Sequence, residues 1–175
     1  MENNNLKICL YLEFYHFWGG FLYKKIGTGF LSSYKNQKKI LTGLNIRYVE
    51  QWDDSCTILQ INTPWLWSLL LIRKARKQNK KVIIWSHVTA EDIQGVFRFG
   101  RILSPLAKKY LRYAYGKADV VLAPTEYTKT LLVAYGISAS KITVMSNGVD
   151  IEKFVGDENI SEMMRTRYGF HASVV

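Results

Sequence analysis

A histidine and a nearby acidic pair are the side chains best suited to acid–base or hydrogen-bonding chemistry. His87 ends a predicted strand, and Glu91 and Asp92 follow it within five residues. A neutral imidazole can donate and accept hydrogen bonds, and a carboxylate can accept a bond from a hydroxyl group or assist its deprotonation. The structural alternatives are a satisfied histidine at a strand end and two acids that complement a helix dipole. These three residues are the candidate catalytic groups.

Glycines precede the first long predicted helix, where backbone N–H groups could approach a phosphate. A glycine-lined helix start is a recurring anion site, although the same residues could serve only as turns. The dinucleotide fingerprint GxGxxG is incomplete, because Ser32 stands where the third glycine would be. The residues concerned are Gly27, Thr28 and Gly29 directly before the helix, and Gly19 and Gly20 upstream.

Two segments, 55–90 and 98–117, contain several lysines and arginines and no acidic residue. Residues 103–115 of the second are predicted to form a helix. A basic helix with an apolar face can lie on an anionic bilayer, where each cation adds about 1 kcal/mol. The alternative is a solvated basic face over a stripe that packs into the core, and we expect the stripe to face the core. The stripe is Leu103, Leu106, Tyr110, Tyr113 and Ala114; the candidate membrane-surface cations are Arg98, Arg101, Lys108, Lys109 and Arg112.

Six short apolar runs alternate with helical patterns along the chain. The predicted strands cover 6–12, 46–50, 57–62, 82–86, 119–123 and 142–144. Strands that alternate with helices imply right-handed βαβ units and a parallel sheet. We therefore predict an α/β, doubly wound, Rossmann-like domain with about six parallel strands. Ligands of such sheets bind beyond the carboxyl ends of the strands, where His87, Thr125 and residues 146–150 would lie.

The segment 118–154 resembles the end of the amino-terminal domain of GT-B glycosyltransferases of family 4. Asn-Gly alone is only a turn signal, but the whole ordered set of motifs is far more specific. The set comprises Ala123, Pro124 and Thr125 at a strand end, Gly136 and Ile137, the sequence KITV at 141–144, the sequence NGVD at 147–150, and Phe154.

The resemblance implies the amino-terminal half of a GT-B enzyme that is incomplete without its partner domain. Residues 1–154 would form the acceptor-side domain, and 155–175 a linker and the start of a carboxyl-terminal, donor-binding domain. The implied reaction transfers a hexose from a nucleotide sugar, with UDP-glucose the first candidate, with retention and without a metal or other cofactor. The family has a histidine at the position of His87, beside the sugar donor and acceptor, where it could bond a sugar hydroxyl and stabilise charge at the anomeric carbon.

The resemblance also assigns residues to the sugar donor. The family places a glycine pair against the donor's diphosphate just before the first long helix. Thr28 interrupts that pair here, which departs from the usual spacing. The predicted donor-binding residues are Gly27, Thr28, Gly29, Gly19, Gly20, Thr125, Asn147 and Gly148.

The predicted acceptor is a membrane lipid, with diacylglycerol first. The diacylglycerol glucosyltransferases of the resembled family carry an acidic pair after the histidine, as Glu91 and Asp92 do here, and bind membranes through a basic region. An anionic membrane surface is therefore the predicted partner. The alternatives are a polysaccharide or small-molecule acceptor, and a non-catalytic module that binds a membrane or nucleic acid. Nucleic acid is disfavoured, because the aromatic residues do not interleave with the basic runs.

The composition favours one folded domain with an anionic partner. The chain has 175 residues, 48% of them hydrophobic, and a net charge of +10. That length buries a substantial core, and the charge favours anionic ligands or surfaces. We expect no signal peptide or membrane span, and we expect Cys9 and Cys56 to be buried free thiols. The predicted location is the cytoplasm, either free or on the inner face of the membrane.

Overall fold

The computed structural model describes residues 6–13, 15, 28–92, 100–149 and 158–169. The described strands are β1 (Lys7–Tyr11), β2 (Arg47–Val49), β3 (Ile58–Ile61), β4 (Lys81–Trp85), β5 (Val120–Ala123) and β6 (Ile142–Val144). The described α-helices are α1 (Thr28–Gly43), α2 (Leu66–Lys77), α3 (Gly100–Gly116), α4 (Glu126–Ala134) and α5 (Glu158–Tyr168). A single 3-10 turn, Ala139–Lys141, leads into β6. The predicted elements are thus present, with ends shifted by a few residues.

The six strands form one sheet in the order β2-β1-β3-β4-β5-β6, and every neighbouring pair is parallel. This confirms the predicted doubly wound α/β fold. Since all strands point the same way, the segments that follow them meet at one edge of the sheet, here called the carboxyl edge. The connection after β1 runs to β2 on one side and the connection after β3 runs to β4 on the other, so the direction reverses between β1 and β3, which opens a ligand crevice at this edge.

Alternate residues of the central strands feed two cores on opposite faces of the sheet. Leu10 packs with Tyr34 and Leu41 of α1 on one face. The other face is covered by α2, α3 and α4, whose residues pack against the side chains that point the opposite way, such as Cys9, Leu59 and Ile61. Strands buried on both faces explain the nearly continuous apolar runs in the sequence.

Helix α3 corrects the predicted core stripe. Leu103, Leu106 and Tyr113 are 46%, 67% and 54% exposed. Ala114 is buried and Tyr110 packs against the core, as predicted, but the other core-facing residues of α3 are Ser104, Leu111 and Tyr115. The buried face is therefore rotated from the centre of the predicted stripe by about one residue, or about 100°. The helix carries two faces with apolar character, and periodicity alone cannot tell which of them the core takes.

Helix α4 has both of its ends specified by the sequence. The Thr125 side chain accepts a hydrogen bond from the Thr128 backbone N–H at 3.1 Å, as expected of an N-cap. Gly136 follows the helix with a φ of 91°, in the left-handed region that favours glycine. A Cβ atom at Gly136 would also lie 3.2 Å from the Arg112 guanidinium carbon. The backbone conformation therefore favours glycine here, and a larger residue would also displace the Arg112 side chain slightly.

Both cysteines are buried free thiols, as predicted. Burial raises the pKa of Cys9 to about 12, so its thiol stays protonated. Within the described ranges, no helix combines the length and apolarity needed to cross a bilayer.

Candidate active site

Three polar side chains from distant parts of the chain meet at the carboxyl edge. His87 follows β4, Asn147 follows β6, and Ser33 lies in the second turn of α1. The Ser33 hydroxyl lies 3.4 Å from His87 Nε2 and donates to Asn147 Oδ1 at 3.3 Å. The structure therefore brings together two of the residues predicted from sequence, His87 and Asn147, through a third that was not predicted.

The hydrogen bonds of Ser33 define how the imidazole is held. A serine hydroxyl has one proton, and in this arrangement Ser33 donates it to Asn147. His87 Nε2 must then carry a hydrogen to bond Ser33, which leaves Nδ1 as the acceptor of the ring. Gln37 donates a further bond to the Ser33 oxygen at 3.1 Å. The hydroxyl is thus fixed from three sides and orients the histidine.

A layer of amide side chains supports Ser33 from below. Gln37 donates from Nε2 to Asn62 Oδ1 at 2.8 Å, and Gln60 donates to Gln37 Oε1 at 2.9 Å. Asn62 in turn donates to the Tyr11 carbonyl at 3.3 Å. Gln37, Gln60 and Asn62 are all buried. A buried network whose members satisfy one another holds its geometry, so these amides fix α1 against β3 beneath the site.

The ring of His87 is packed as well as hydrogen-bonded. It stacks on the indole of Trp85, with a centroid separation of 5.2 Å and an interplanar angle of 5°. Burial lowers the pKa of His87 to about 4. Desolvation disfavours the charged form of a histidine, so the imidazole is neutral at physiological pH. A neutral ring can hydrogen-bond a substrate hydroxyl without repelling a cationic transition state.

The loop that carries Asn147 is also tied to α1. Asn36 donates from its amide nitrogen to the Gly148 carbonyl at 3.0 Å, one helical turn from Ser33. Gly148 adopts a φ of 70°. Two predicted donor-binding residues, Asn147 and Gly148, therefore lie against α1, near its first turns. Their assignment to the donor's diphosphate stays a prediction.

The remaining predicted donor-binding residues fall in different places. Thr28 begins α1, and a Cβ atom on Gly29 would meet no atom of the described residues within 4 Å. Thr125 is exposed and caps α4. Gly19, Gly20 and Gly27 lie outside the described residues.

The acidic pair is engaged by neighbouring groups. Glu91 accepts a hydrogen bond from the Tyr135 hydroxyl. Asp92 accepts from the Thr89 backbone N–H and hydroxyl, each at 2.8 Å, and its own N–H donates to the Thr89 hydroxyl at 3.2 Å. These reciprocal bonds form a capping box at the helical turn 90–92. Both carboxylates remain exposed, and their catalytic assignment stays a prediction.

A buried glutamate that the sequence did not indicate lies next to the crevice. Glu13 follows β1 and is 0% exposed. It accepts hydrogen bonds from the backbone N–H groups of Trp67 and Ser68 at 3.1 and 2.8 Å, and from the Ser68 hydroxyl at 2.6 Å. The carboxylate therefore satisfies the amino terminus of α2 and complements its dipole.

An apolar groove runs between α2 and α3. Its end nearest the carboxyl edge has a volume of about 610 Å³ and is lined by Trp65, Leu66, Val88, Leu103, Leu106, Ala107, Tyr110 and Leu111. The other end, of about 560 Å³, shares Leu66 and is bordered by cations that include Arg73, Lys77 and Lys117. The groove is therefore apolar where it reaches the residue after His87 and basic at its far end.

The predicted membrane cations are divided around α3. Lys108 lies over the Tyr135 ring at 5.1 Å, and Arg112 lies against Gly136, so both are on the α4 side of the helix. Lys109 is exposed. Arg98 and the side chain of Arg101 lie outside the described residues. The cations that border the groove, Arg73, Lys77 and Lys117, were not in the predicted set.

Comparison with known proteins identifies relatives for most of the chain. Residues 17–153 match the sequence profile of Glycosyltransferase Family 4. The chain is 30% identical over 133 residues to the processive diacylglycerol alpha-glucosyltransferase of Acholeplasma laidlawii, covering 75% of this chain and 38% of that protein. Two crystal structures of HepE from Anabaena, one with UDP and glucose and one with UDP-glucose, superpose with TM-scores of 0.56 and 0.54 at 17% and 18% identity. Each superposition covers 94% of this chain and 50% of HepE.

Proposed function

Because the chain belongs to glycosyltransferase family 4, we propose that it is the acceptor-side half of an enzyme that transfers glucose from UDP-glucose to the hydroxyl group of a membrane lipid, with diacylglycerol as acceptor. The chain spans about two fifths of the Acholeplasma relative and half of HepE, so the remaining donor contacts would come from a second domain. The observation that carries the proposal is the contact of Ser33 with His87 and Asn147 at the carboxyl edge.

The sugar donor follows from the comparisons and from the geometry of α1. HepE is described with UDP-glucose, and the Acholeplasma relative is a glucosyltransferase. In this chain the start of α1, with Gly29, and the Asn147–Gly148 loop would face the diphosphate. The product of the relative is the α-glucoside. UDP-glucose is itself α-linked, so the corresponding reaction here proceeds with retention.

The site residues have distinct roles in this proposal. His87, neutral because of its burial, hydrogen-bonds a hydroxyl of the transferred glucose and allows positive charge to develop at the anomeric carbon. Ser33 holds the ring in one tautomer. Asn147, which Ser33 also contacts, would face the diphosphate of the donor. Glu91 or Asp92 would accept the hydrogen bond of the acceptor hydroxyl if the acceptor displaces their present partners.

A chimeric enzyme tests the proposal directly. We define the two-domain chimera as the Acholeplasma relative in which this chain replaces the matching segment. With UDP-glucose and diacylglycerol in mixed vesicles, we expect it to form the α-glucosyl lipid. The matched control is the same chimera with His87→Ala, which should fold equally well. A well-folded chimera that hydrolyses UDP-glucose or glucosylates a soluble sugar, but not the lipid, would contradict the acceptor assignment.

The face that carries the groove is the part of the domain that we propose to lie on the membrane. Leu66, Leu70 and Leu106 are 72%, 51% and 67% exposed, which is a large apolar area for one face. Arg73 and Lys77 border it. A surface of this composition combines apolar insertion with attraction to anionic lipid, which supports the proposed location on the inner face of the cell membrane.

Vesicle sedimentation should show that binding depends on this charge. We expect the chain to sediment with vesicles that contain phosphatidylglycerol and to remain largely in solution with neutral phosphatidylcholine. The double variant Arg73→Gln and Lys77→Gln should weaken binding about tenfold or more, at about 1 kcal/mol for each lost cation. Lys35, exposed on α1 on the opposite face of the sheet, provides the control variant Lys35→Gln, which should bind as the wild type does. Equal binding to both vesicle types would rule out the electrostatic docking.

A further inference from the structure

We propose that the apolar groove between α2 and α3 binds one acyl chain of the acceptor lipid and brings its glycerol hydroxyl to His87. This inference rests on the proposed function and adds the site and the class of ligand. It begins from the lining of the groove, where every described residue at the end nearest the carboxyl edge is aliphatic or aromatic. Ligand pockets typically enclose 300–1,000 Å³, and about 610 Å³ lies within that range.

The end of the groove nearest the carboxyl edge has one hydroxyl group among its described lining residues, that of Tyr110, and the proton of this hydroxyl is already engaged. The Tyr110 hydroxyl donates to the Pro64 carbonyl at 2.6 Å, which directs it to the backbone that precedes α2. Burial raises the pKa of Tyr110 to about 12, in keeping with a desolvated position. A polar acceptor such as a free sugar would leave its own groups unsatisfied here, whereas a hydrocarbon chain would not.

The position of the groove relates it to the reacting centre. Val88 lines the groove and is the residue directly after His87. Helices α2 and α3 both begin at the carboxyl edge, so the groove runs along them away from the site. Helix α2 has 12 residues, which corresponds to a track of about 18 Å. A lipid whose acyl chain lies in the groove would have its head group at the carboxyl edge and the end of its tail toward the far end.

The far end of the groove continues into the face proposed for the membrane. The two ends share Leu66, and the far end is bordered by Arg73, Lys77 and Lys117. A lipid could therefore slide from an anionic bilayer into the groove without its tail crossing water. This continuity with a basic surface favours an acyl chain over a peptide or a second copy of the protein as the occupant.

Quenching of tryptophan fluorescence by a brominated lipid tests the proposal on the chain itself. The probe is a short-chain diacylglycerol with bromine on one acyl chain, used below its micelle concentration. Trp65 lines the groove, whereas Trp67 is 52% exposed on the same helix and does not line it. We expect saturable quenching that Trp65→Phe largely removes and Trp67→Phe leaves in place. Equal effects of the two substitutions would indicate adsorption to the surface of α2 and would overturn the proposal.

A variant that fills the groove supplies an independent test. Ala107 lines the groove at the level of Tyr110, so Ala107→Phe would place a ring in the path of the chain. We expect at least a tenfold rise in the apparent Kd for the probe, with an unchanged circular dichroism spectrum. Wild-type affinity in this variant would overturn the proposal. Self-association that protects Trp65 from the probe would assign the groove to a second copy instead.

Probe binding is measured without turnover, so its failure is distinct from failure of the proposed function. If the chimera glucosylates a soluble sugar while the probe binds nowhere, the groove is refuted and glycosyl transfer stands. If the probe binds at Trp65 and the chimera transfers no sugar to any acceptor, the groove stands and the proposed reaction is refuted.

Discussion

Replacing His87 with alanine in the two-domain chimera is expected to lower kcat about 10²- to 10³-fold. Removal of a single hydrogen bond to a developing charge has an effect of this size in other enzymes. The imidazole stacks on Trp85 and is held by Ser33, so it needs no reorganisation during the reaction. The KM for UDP-glucose should change far less than kcat, because the lost bond is strongest in the transition state. A chimera whose kcat is unchanged would remove His87 from the mechanism.

Substitution of Ser33 separates positioning of the imidazole from its chemistry. Ser33→Ala removes the bond to His87 Nε2 and leaves the ring stacked on Trp85. We expect kcat to fall about tenfold, since only the orientation and tautomer are disturbed. The double variant Ser33→Ala and His87→Ala should be no slower than His87→Ala alone. Additive losses in the double variant would show that Ser33 acts independently of the histidine.

The rate of glucose transfer should not show the change near pH 6.5 that titration of an ordinary histidine produces. Burial lowers the pKa of His87 to about 4, so the ring stays neutral in the folded protein from about pH 5 to pH 8. The unfolded chain, with an ordinary pKa near 6.5, takes up a proton that the folded chain does not. Stability should therefore decline as pH falls from about 6.5 to about 4. Urea denaturation across this range should show a smaller decline in His87→Ala.

The architecture could be predicted from the sequence, as could two of the three residues of the central contact, His87 and Asn147. Alternating apolar runs and helices specified the parallel sheet, and the strand ends specified where His87 and Asn147 would meet. Ser33 was missed because a serine within a helix carries no local signal for a partner more than fifty residues away. A clue did exist in Gln60 and Asn62, polar residues of alternate spacing at a strand that should be apolar on both faces. Their spacing indicates a polar layer beneath one helix.

The orientation of α3 could not be predicted from the sequence. The pattern in α3 predicted a core stripe, but Leu106 and Tyr113 point to solvent beside α2. Helical periodicity gives the spacing of a stripe and says nothing about which neighbouring stripe the core takes. In the same way, a series of lysines and arginines in the sequence does not reveal which of their side chains border an apolar surface. In the structure, Leu111, Ala114 and Tyr115 of α3 are buried in the core, and Arg112 lies against Gly136 after α4.

The buried carboxylate of Glu13 should have the largest effect on stability. Glu13→Ala would leave the Trp67 and Ser68 N–H groups without this acceptor at a buried position, while the Ser68 hydroxyl can still donate to the Thr63 carbonyl at 2.7 Å. Each buried unsatisfied group costs about 1–3 kcal/mol, although part of this is recovered where water enters. We expect a loss of about 3 kcal/mol in the free energy of unfolding. For a domain of this size that lowers Tm by about 6–12 °C.

A conservative substitution and an exposed counterpart sharpen the measurement. Glu13→Gln keeps one acceptor oxygen and the shape of the side chain, so its loss should be about half as large. Glu126 is a carboxylate within the first turn of α4, where it is exposed and lies 4.0 Å from Lys129. Glu126→Ala should change the stability by less than about 0.5 kcal/mol. Since charge near a helix start is common to both sites, equal losses in urea denaturation would show that the dipole, and not burial of the carboxylate, dominates at Glu13.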